Sequence, residues 1–208
     1  MRKLTRLSVR ERWAVLSAVL LGIAAVLLSL VISPSAARTA PIAADARLDV
    51  VPPSPSPLAR AIPVSLAAAK IGLVTDLDRI GTKPDGDIAD PAGFARASWF
   101  APGPSPGESG SSVIIGHVDD YRGPAVFFRL SSLALGDEIQ VNRSDGTTAS
   151  FAVYRTQTVP KEQFPADQVY RGGGPSDLAL VTCGGAFDTA TRGYRSNVIV
   201  YTRLIDRP

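Results

Sequence analysis

Residues 138–154 read EIQVNRSDGTTASFAVY. Glu138-Ile139-Gln140-Val141 alternates polar and apolar side chains, Asp145-Gly146 is a turn signal, and Ser150 to Tyr154 resumes a strand-like run. Alternation of period two on either side of an Asp-Gly pair predicts a β-hairpin. Working outward, similar short runs recur: Val113-Ile114-Ile115, Leu178-Ala179-Leu180-Val181 and Val198-Ile199-Val200-Tyr201. Helical periodicity in this region is weak. Ala125 to Leu133 predicts a helical turn or two, and Ala67 to Lys70 is ambiguous. Many short strands separated by turn signals predict an all-β domain from about Ile62 to Leu204, either a closed barrel or a sandwich.

The chain has 208 residues, 45% of them apolar and 20% charged, enough for one sizeable core plus an appendage. Its formal charge of +3 is concentrated at the start, where Arg2, Lys3, Arg6, Arg10 and Arg12 face only Glu11. The remaining 196 residues carry 17 basic and 18 acidic side chains, so no nucleic-acid footprint is expected. Trp13 to Ile32 is a run of twenty residues without a charge. As a helix it spans about 30 Å, the thickness of a bilayer core. The basic residues before it predict a cytoplasmic N-terminus and an extracytoplasmic body. A cleaved secretory signal, cut near Ser35-Ala36-Ala37 or Arg38-Thr39-Ala40, is the alternative. Residues 33–61 hold six prolines, many Ala and Ser and no aromatic residue, and predict an extended stalk. The expected order is therefore a basic tail (1–12), an anchor (13–32), a stalk (33–61) and a domain (62–208).

One Cys excludes an intramolecular disulfide, and one Cys with one His is too few for a Cys/His zinc cluster. Cys183 ends the apolar run LALVTC and leads into Gly184-Gly185. It reads either as a small buried hydrophobe or as a thiol at a strand rim, with glycine backbone free to approach a ligand. His117 likewise ends a hydrophobic run, after Gly116, and reads as structural or as the base a nucleophilic thiol requires. One imidazole can serve the thiol and also protonate a leaving amine. Acyl transfer further needs positive charge or N–H donors at the developing oxyanion. Arg192 and Arg195 follow Cys183, the second just before NVIVYTRL; each reads otherwise as a solvated surface charge.

Taken together, these blocks resemble the sortases, and within them the actinobacterial class F group. His117 stands in IIGHVDD, followed by GPAVFFRLSSLALGDEI (123–139); Cys183 stands in LVTCGGAFD; Arg195 stands in GYRSNVIVY; and SWFAPGPSPGESGSSVIIGH (98–117) precedes the histidine. The order His, Cys, Arg is that of sortases, whereas papain-like peptidases place Cys before His. The resemblance covers nearly all of residues 62–204. It implies a closed eight-stranded β-barrel with short helices. It also implies a membrane-tethered cysteine transpeptidase that cleaves a Leu-Pro-any-Thr-Gly sorting signal and joins the acyl group to an amine of the cell-wall precursor. Cys183 is the implied nucleophile, His117 the acid and base, Arg195 the substrate and oxyanion contact, and Thr182 a secondary contact. The segment 158–177 is implied to form part of the groove, with Phe164, Pro165 and Val169 lining it and Gly172 to Gly174 lending mobility. The alternative is a surface connection without a substrate role. Asp119-Asp120 reads as a solvated pair, and neither a metal nor a cofactor is expected. A cysteine hydrolase with the same site and a non-catalytic wall-binding barrel are the competing functions. A monomer is expected, and no segment reads as a lid, although the stalk at 45–60 has the length to fold back.

Overall fold

The computed structural model describes residues 55–171 and 176–205. The expected tail, the anchor, the stalk up to residue 54 and Gly172 to Gly174 lie outside the described residues. Strands run in the order β1 (Pro63–Ala68), β2 (Leu73–Ile80), β3 (Ala97–Phe100), β4 (Gly110–Ile115), β5 (Asp119–Asp120), β6 (Gly123–Pro124), β7 (Glu138–Arg143), β8 (Thr148–Pro160), β9 (Ser176–Asp188) and β10 (Gly193–Leu204). Eight of them close into a barrel in the order β1-β2-β3-β4-β9-β10-β8-β7, while β5 and β6 form a separate small hairpin. The fold is thus an all-β closed barrel. Closure leaves no sheet edge, which is how a barrel avoids unpaired backbone donors and acceptors.

The hairpin expected at 138–154 is β7 and β8, with Glu138 opposite Ala152 and Val141 opposite Ala149. Gly146 closes the turn by donating its N–H to the Arg143 carbonyl, at φ +81°, which suits glycine. Ile139, Val141, Ala149, Phe151 and Val153 all point into the main core beside Trp99, Phe127, Leu178 and Leu180. At roughly 1.5–3 kcal/mol for each fully buried large side chain, such alternation fixes the register, because a one-residue slip would turn every one of them to water.

Two pairings are parallel, β2 with β3 and β4 with β9. Parallel neighbours need a crossover. Residues 81–96 supply the one between β2 and β3, and they fold on themselves through Lys83 N–H to the Asp87 carbonyl and Ala89 N–H to the Gly81 carbonyl. A second core lies on the other face of β9 and β10. There Ala179, Val181, Ile199 and Tyr201 meet Val113, Val159 and Val169. The helix α1 (Ala166–Arg171) covers this face. It opens after Pro165 and stops where the glycine run begins in the sequence, the usual placement of both residues. Of the two short helical stretches weighed from sequence, 125–133 yields a 3-10 turn at Leu130–Ser132, and 67–70 splits between the end of β1 and a turn at Ala69–Ile71.

The described end of the expected stalk is fixed to the barrel. Leu58 donates its N–H to the Gly107 carbonyl and packs against the main core. Arg60 lies over Trp99, 5.6 Å from the ring centroid, and pairs with Glu108 at 3.0 Å. These contacts sit where the chain enters β4, the end of that strand remote from His117.

Candidate active site

Cys183 lies where β9 emerges from the two cores. Its preceding residues are buried on both faces, whereas Cys183 is half-buried and the four residues that follow include three exposed ones. Opposite it on β10 stands Asn197, with Thr182 paired to Val198 and Gly184 to Ser196. A side chain at Gly184 would place its Cβ 2.6 Å from Val198 Cγ2, and one at Gly185 would meet Ser196 Oγ at 2.8 Å. Gly185 has φ +75° and, with Ala186, faces Arg195 alone between the pairs 184↔196 and 187↔194. This is a bulge with glycine in the left-handed position. The glycine pair thus has a packing reason on the β10 side, and its backbone also lines a cavity of about 370 Å³ with Cys183 and Tyr194.

His117 is set beside Cys183 by register. β4 and β9 pair in parallel with Ile115 opposite Val181, and Gly116 donates to the Val181 carbonyl at 3.1 Å. The ladder ends there, and His117, two residues beyond Ile115, lines the same cavities as Cys183, two residues beyond Val181. Gly116 is required there: a Cβ would lie 2.7 Å from the Phe127 ring and 2.8 Å from Val126. Phe127 in turn donates its N–H to the His117 carbonyl. The imidazole is also held from the crossover 81–96. Its Nε2 is 3.0 Å from the Pro91 carbonyl oxygen, and the Phe94 ring centroid is 4.5 Å from its own. No part of that crossover stood out in the sequence, yet it walls the site beside the histidine.

Two cavities meet at this pair, and His117, Cys183 and Lys161 line both. The first, about 630 Å³, is completed by Asp119, Asp120, Tyr121, Phe187, Arg192 and Tyr194. The second, about 460 Å³, runs over Ile115, Val181, Thr182 and Asn197, between Ile88 and Pro91 of the crossover and Phe164 and Tyr170 near α1. Tyr194 donates its hydroxyl to Asp119, and that bond, together with partial burial, raises the phenol above its ordinary pKa. Asp120 accepts the N–H groups of Arg122 and Gly123 within the small hairpin. The acidic pair is thus engaged in local bonds and is not simply solvated.

The arginines divide between cavities. Arg192, at φ +51°, lines the first with Cys183 and His117. Arg195 lines an adjoining cavity of about 600 Å³ with Asp188, Lys161 and Tyr194. Its guanidinium binds the Asp188 carboxylate at 3.1 and 3.3 Å, with the side chain 69% exposed. The N–H groups of Ala190 and Thr191, and then Arg195, hold the Asp188 carboxyl below its usual range.

Among the expected groove residues, Phe164 lines the second cavity. Pro165 caps α1 and takes the Val169 N–H on its carbonyl. Val169 does not line the groove: it is 0% exposed, buried in the second core, because α1 turns its apolar side onto β4. Thr182 is 3% exposed and shares the inward face of Leu178 and Leu180, so its hydroxyl is buried, with no partner among the described residues. Pro91, Phe94, Lys161, Tyr194 and Asn197 were not singled out from sequence. Tyr194 is adjacent to Arg195 and was within reach; the others depend on pairings the sequence does not display.

A thiol and an imidazole thus stand at neighbouring strand ends of a closed barrel, between two clefts. The sortase domain family matches residues 77–205, and the chain belongs to the sortase family, a family of cysteine transpeptidases. No curated protein matches it in sequence. Among solved structures, it resembles sortase A from Corynebacterium diphtheriae (a lid mutant) with 17% identity, covering 73% of this chain and 74% of that one, TM-score 0.55. It also resembles sortase C1 from Streptococcus agalactiae, with 19% identity, 70% and 68% coverage and TM-score 0.53. At such identities these likenesses establish the barrel fold.

Proposed function

We propose that this protein is a class F transpeptidase that cleaves a Leu-Pro-any-Thr-Gly type sorting signal and transfers it to a cell-wall amine. The observation that supports the reading is that His117 and Cys183, each two residues beyond the paired Ile115 and Val181, line the same two cavities. The Cys183 thiolate attacks the Thr carbonyl carbon, and its electron pair forms the C–S bond while the carbonyl oxygen becomes an oxyanion. As the oxyanion collapses, the Thr–Gly C–N bond breaks and imidazolium His117 protonates the leaving amine. An acceptor amine then attacks the thioester, passes a proton to His117 and expels the thiolate. Arg195 stabilises the oxyanion by exchanging Asp188 for substrate. Phe164 lines the sorting-signal groove. Thr182 acts on the substrate only through the backbone of β9.

In this reading residues 13–32 anchor the chain in the membrane, with the N-terminus cytoplasmic and the barrel outside, where surface proteins and wall precursor meet it. The test is incubation of the full chain with a quenched Leu-Pro-Ala-Thr-Gly peptide, with and without an amine acceptor, analysed by mass spectrometry. A ligated product that disappears in Cys183→Ala supports transfer. Cleavage without ligation would replace transfer by hydrolysis. A thiol that resists alkylation would support the non-catalytic barrel.

A further inference from the structure

The crossover 81–96 touches the histidine at two points of different chemistry. The Pro91 carbonyl oxygen lies 3.0 Å from Nε2, and the Phe94 ring packs against the imidazole at 4.5 Å between centroids, tilted by 38°. A carbonyl oxygen has no proton and only accepts, so the first contact is a hydrogen bond only when Nε2 carries the proton. The backbone on both sides is fixed. Val126 donates its N–H to the Phe94 carbonyl at 2.9 Å, and Phe127 donates to the His117 carbonyl at 2.9 Å. Residues 126 and 127 are consecutive, so one short segment holds both the ring and the residue that packs on it. The crossover is tied as well: Lys83 pairs with Asp90 at 2.9 Å, next to Pro91.

We propose that Pro91 and Phe94 are positioning residues that lock His117 in its Nε2–H tautomer, so that Nδ1 is the nitrogen that gives and takes the proton in catalysis. The neutral ring has one lone pair for a base, and the Pro91 carbonyl leaves it at Nδ1. In the imidazolium both nitrogens carry protons, and Nε2–H stays on the carbonyl. The proton given to the leaving amine and regained from the incoming one is then the Nδ1 proton in each half of the cycle. The ring needs no flip between the two steps. The catalytic part of this proposal rests on the transpeptidase reading; the tautomer itself does not.

The test uses the full chain with 15N-labelled histidine. His117 is the only histidine, so two ring nitrogens give the whole spectrum. Above the titration of the ring, Nε2 is expected with the shift of a protonated nitrogen and a bound proton protected from water, and Nδ1 with that of an unprotonated one. In Phe94→Ala and Pro91→Gly, the Nε2 proton is expected to exchange with water, and both nitrogens to move toward the averaged shifts of free histidine. Turnover of the sorting-signal peptide in these variants is expected to fall about tenfold in kcat, with KM within about twofold. An Nδ1–H ring, or an Nε2 proton exchanging freely in the wild type, overturns the lock. Spectra unchanged in both variants overturn the assignment to these residues, and altered spectra with unchanged kcat overturn its catalytic consequence. If the wild type leaves the peptide and amine unreacted, the transpeptidase reading fails, and the ring spectrum still decides the lock.

Discussion

The two halves of β9 are built from opposite materials. From Ser176 to Thr182 every residue is buried, with Leu178 and Leu180 in the main core and Ala179 and Val181 in the second. Asp177 in this half meets Arg203 on β10 at 2.8 and 3.2 Å. Burial and then this carboxylate push the adjoining Tyr154 phenol up to about 12. From Cys183 onward the strand loses one of its two covers, carries two glycines and bulges. One strand thus holds the barrel together at one end and presents a thiol at the other. The rigid half fixes where the thiol stands, because the register 115↔181 is set by side chains that have no other place to go.

If that division is right, the two halves fail differently. Cys183→Ala should abolish peptide turnover, by at least about 10³-fold, while the melting temperature moves by no more than about 2 °C. Retained turnover would remove Cys183 as nucleophile. Asp177→Ala should do the reverse. It leaves the largely buried Arg203 guanidinium, 14% exposed, without its carboxylate partner, a change worth about 3 kcal/mol, or roughly 10 °C in the melting midpoint for a domain of this size. Urea unfolding followed by tryptophan fluorescence measures it directly. A loss below about 1 kcal/mol would mean that the pair contributes no more than a surface bridge.

Much of the rigid half was legible. Runs such as Leu178 to Val181 and the Asp-Gly hairpin report their own burial through local pattern, and enough of them predict an all-β domain, while the choice of a closed barrel over a sandwich came from the family resemblance. Cys183 and His117 were legible as candidates because each follows such a run, while the roles proposed for them came from the family resemblance. What stayed hidden depends on contacts distant in sequence. Pro91 touches a histidine 26 residues away, and the crossover that carries it exists because β2 and β3 pair in parallel. Val169 shows the converse: its segment was placed in the groove as a whole, but a helix divides its residues between faces, and this one faces the core. The glycines after Cys183 were visible without their reason, since Val198 lies on another strand.

The arginines sharpen the comparison within the exposed half. Removing an oxyanion donor lowers turnover by roughly 10²–10³-fold. Arg195→Ala is expected to show this loss, and Arg192→Ala only a few-fold one. The opposite ranking would assign the role to Arg192, which already lines the cavity of Cys183 and His117. Both variants should keep the wild-type melting temperature, since Arg195 pairs only at the surface.

A smaller effect than the loss of Arg195 tests the junction of the halves. Gly184→Ala puts a methyl 2.6 Å from Val198 Cγ2, a distance real Cβ atoms do not tolerate, so β9 or Val198 must yield. Val198 is buried at 5% exposure and gives way poorly, and overpacking of this kind costs about 1–3 kcal/mol. The displaced backbone carries Cys183, one residue away, so kcat should fall about tenfold as well. The double variant Gly184→Ala/Val198→Ala separates the two causes. Val198→Ala removes the clashing methyl groups, so kcat should return to within about threefold of wild type even though the smaller core keeps stability low. Recovery of turnover without recovery of stability would show that the glycine serves the position of the thiol. If the double variant stays as slow as Gly184→Ala, the close approach to β10 is not what places Cys183, and the left-handed Gly185 next to it becomes the residue that sets the bulge and the thiol together.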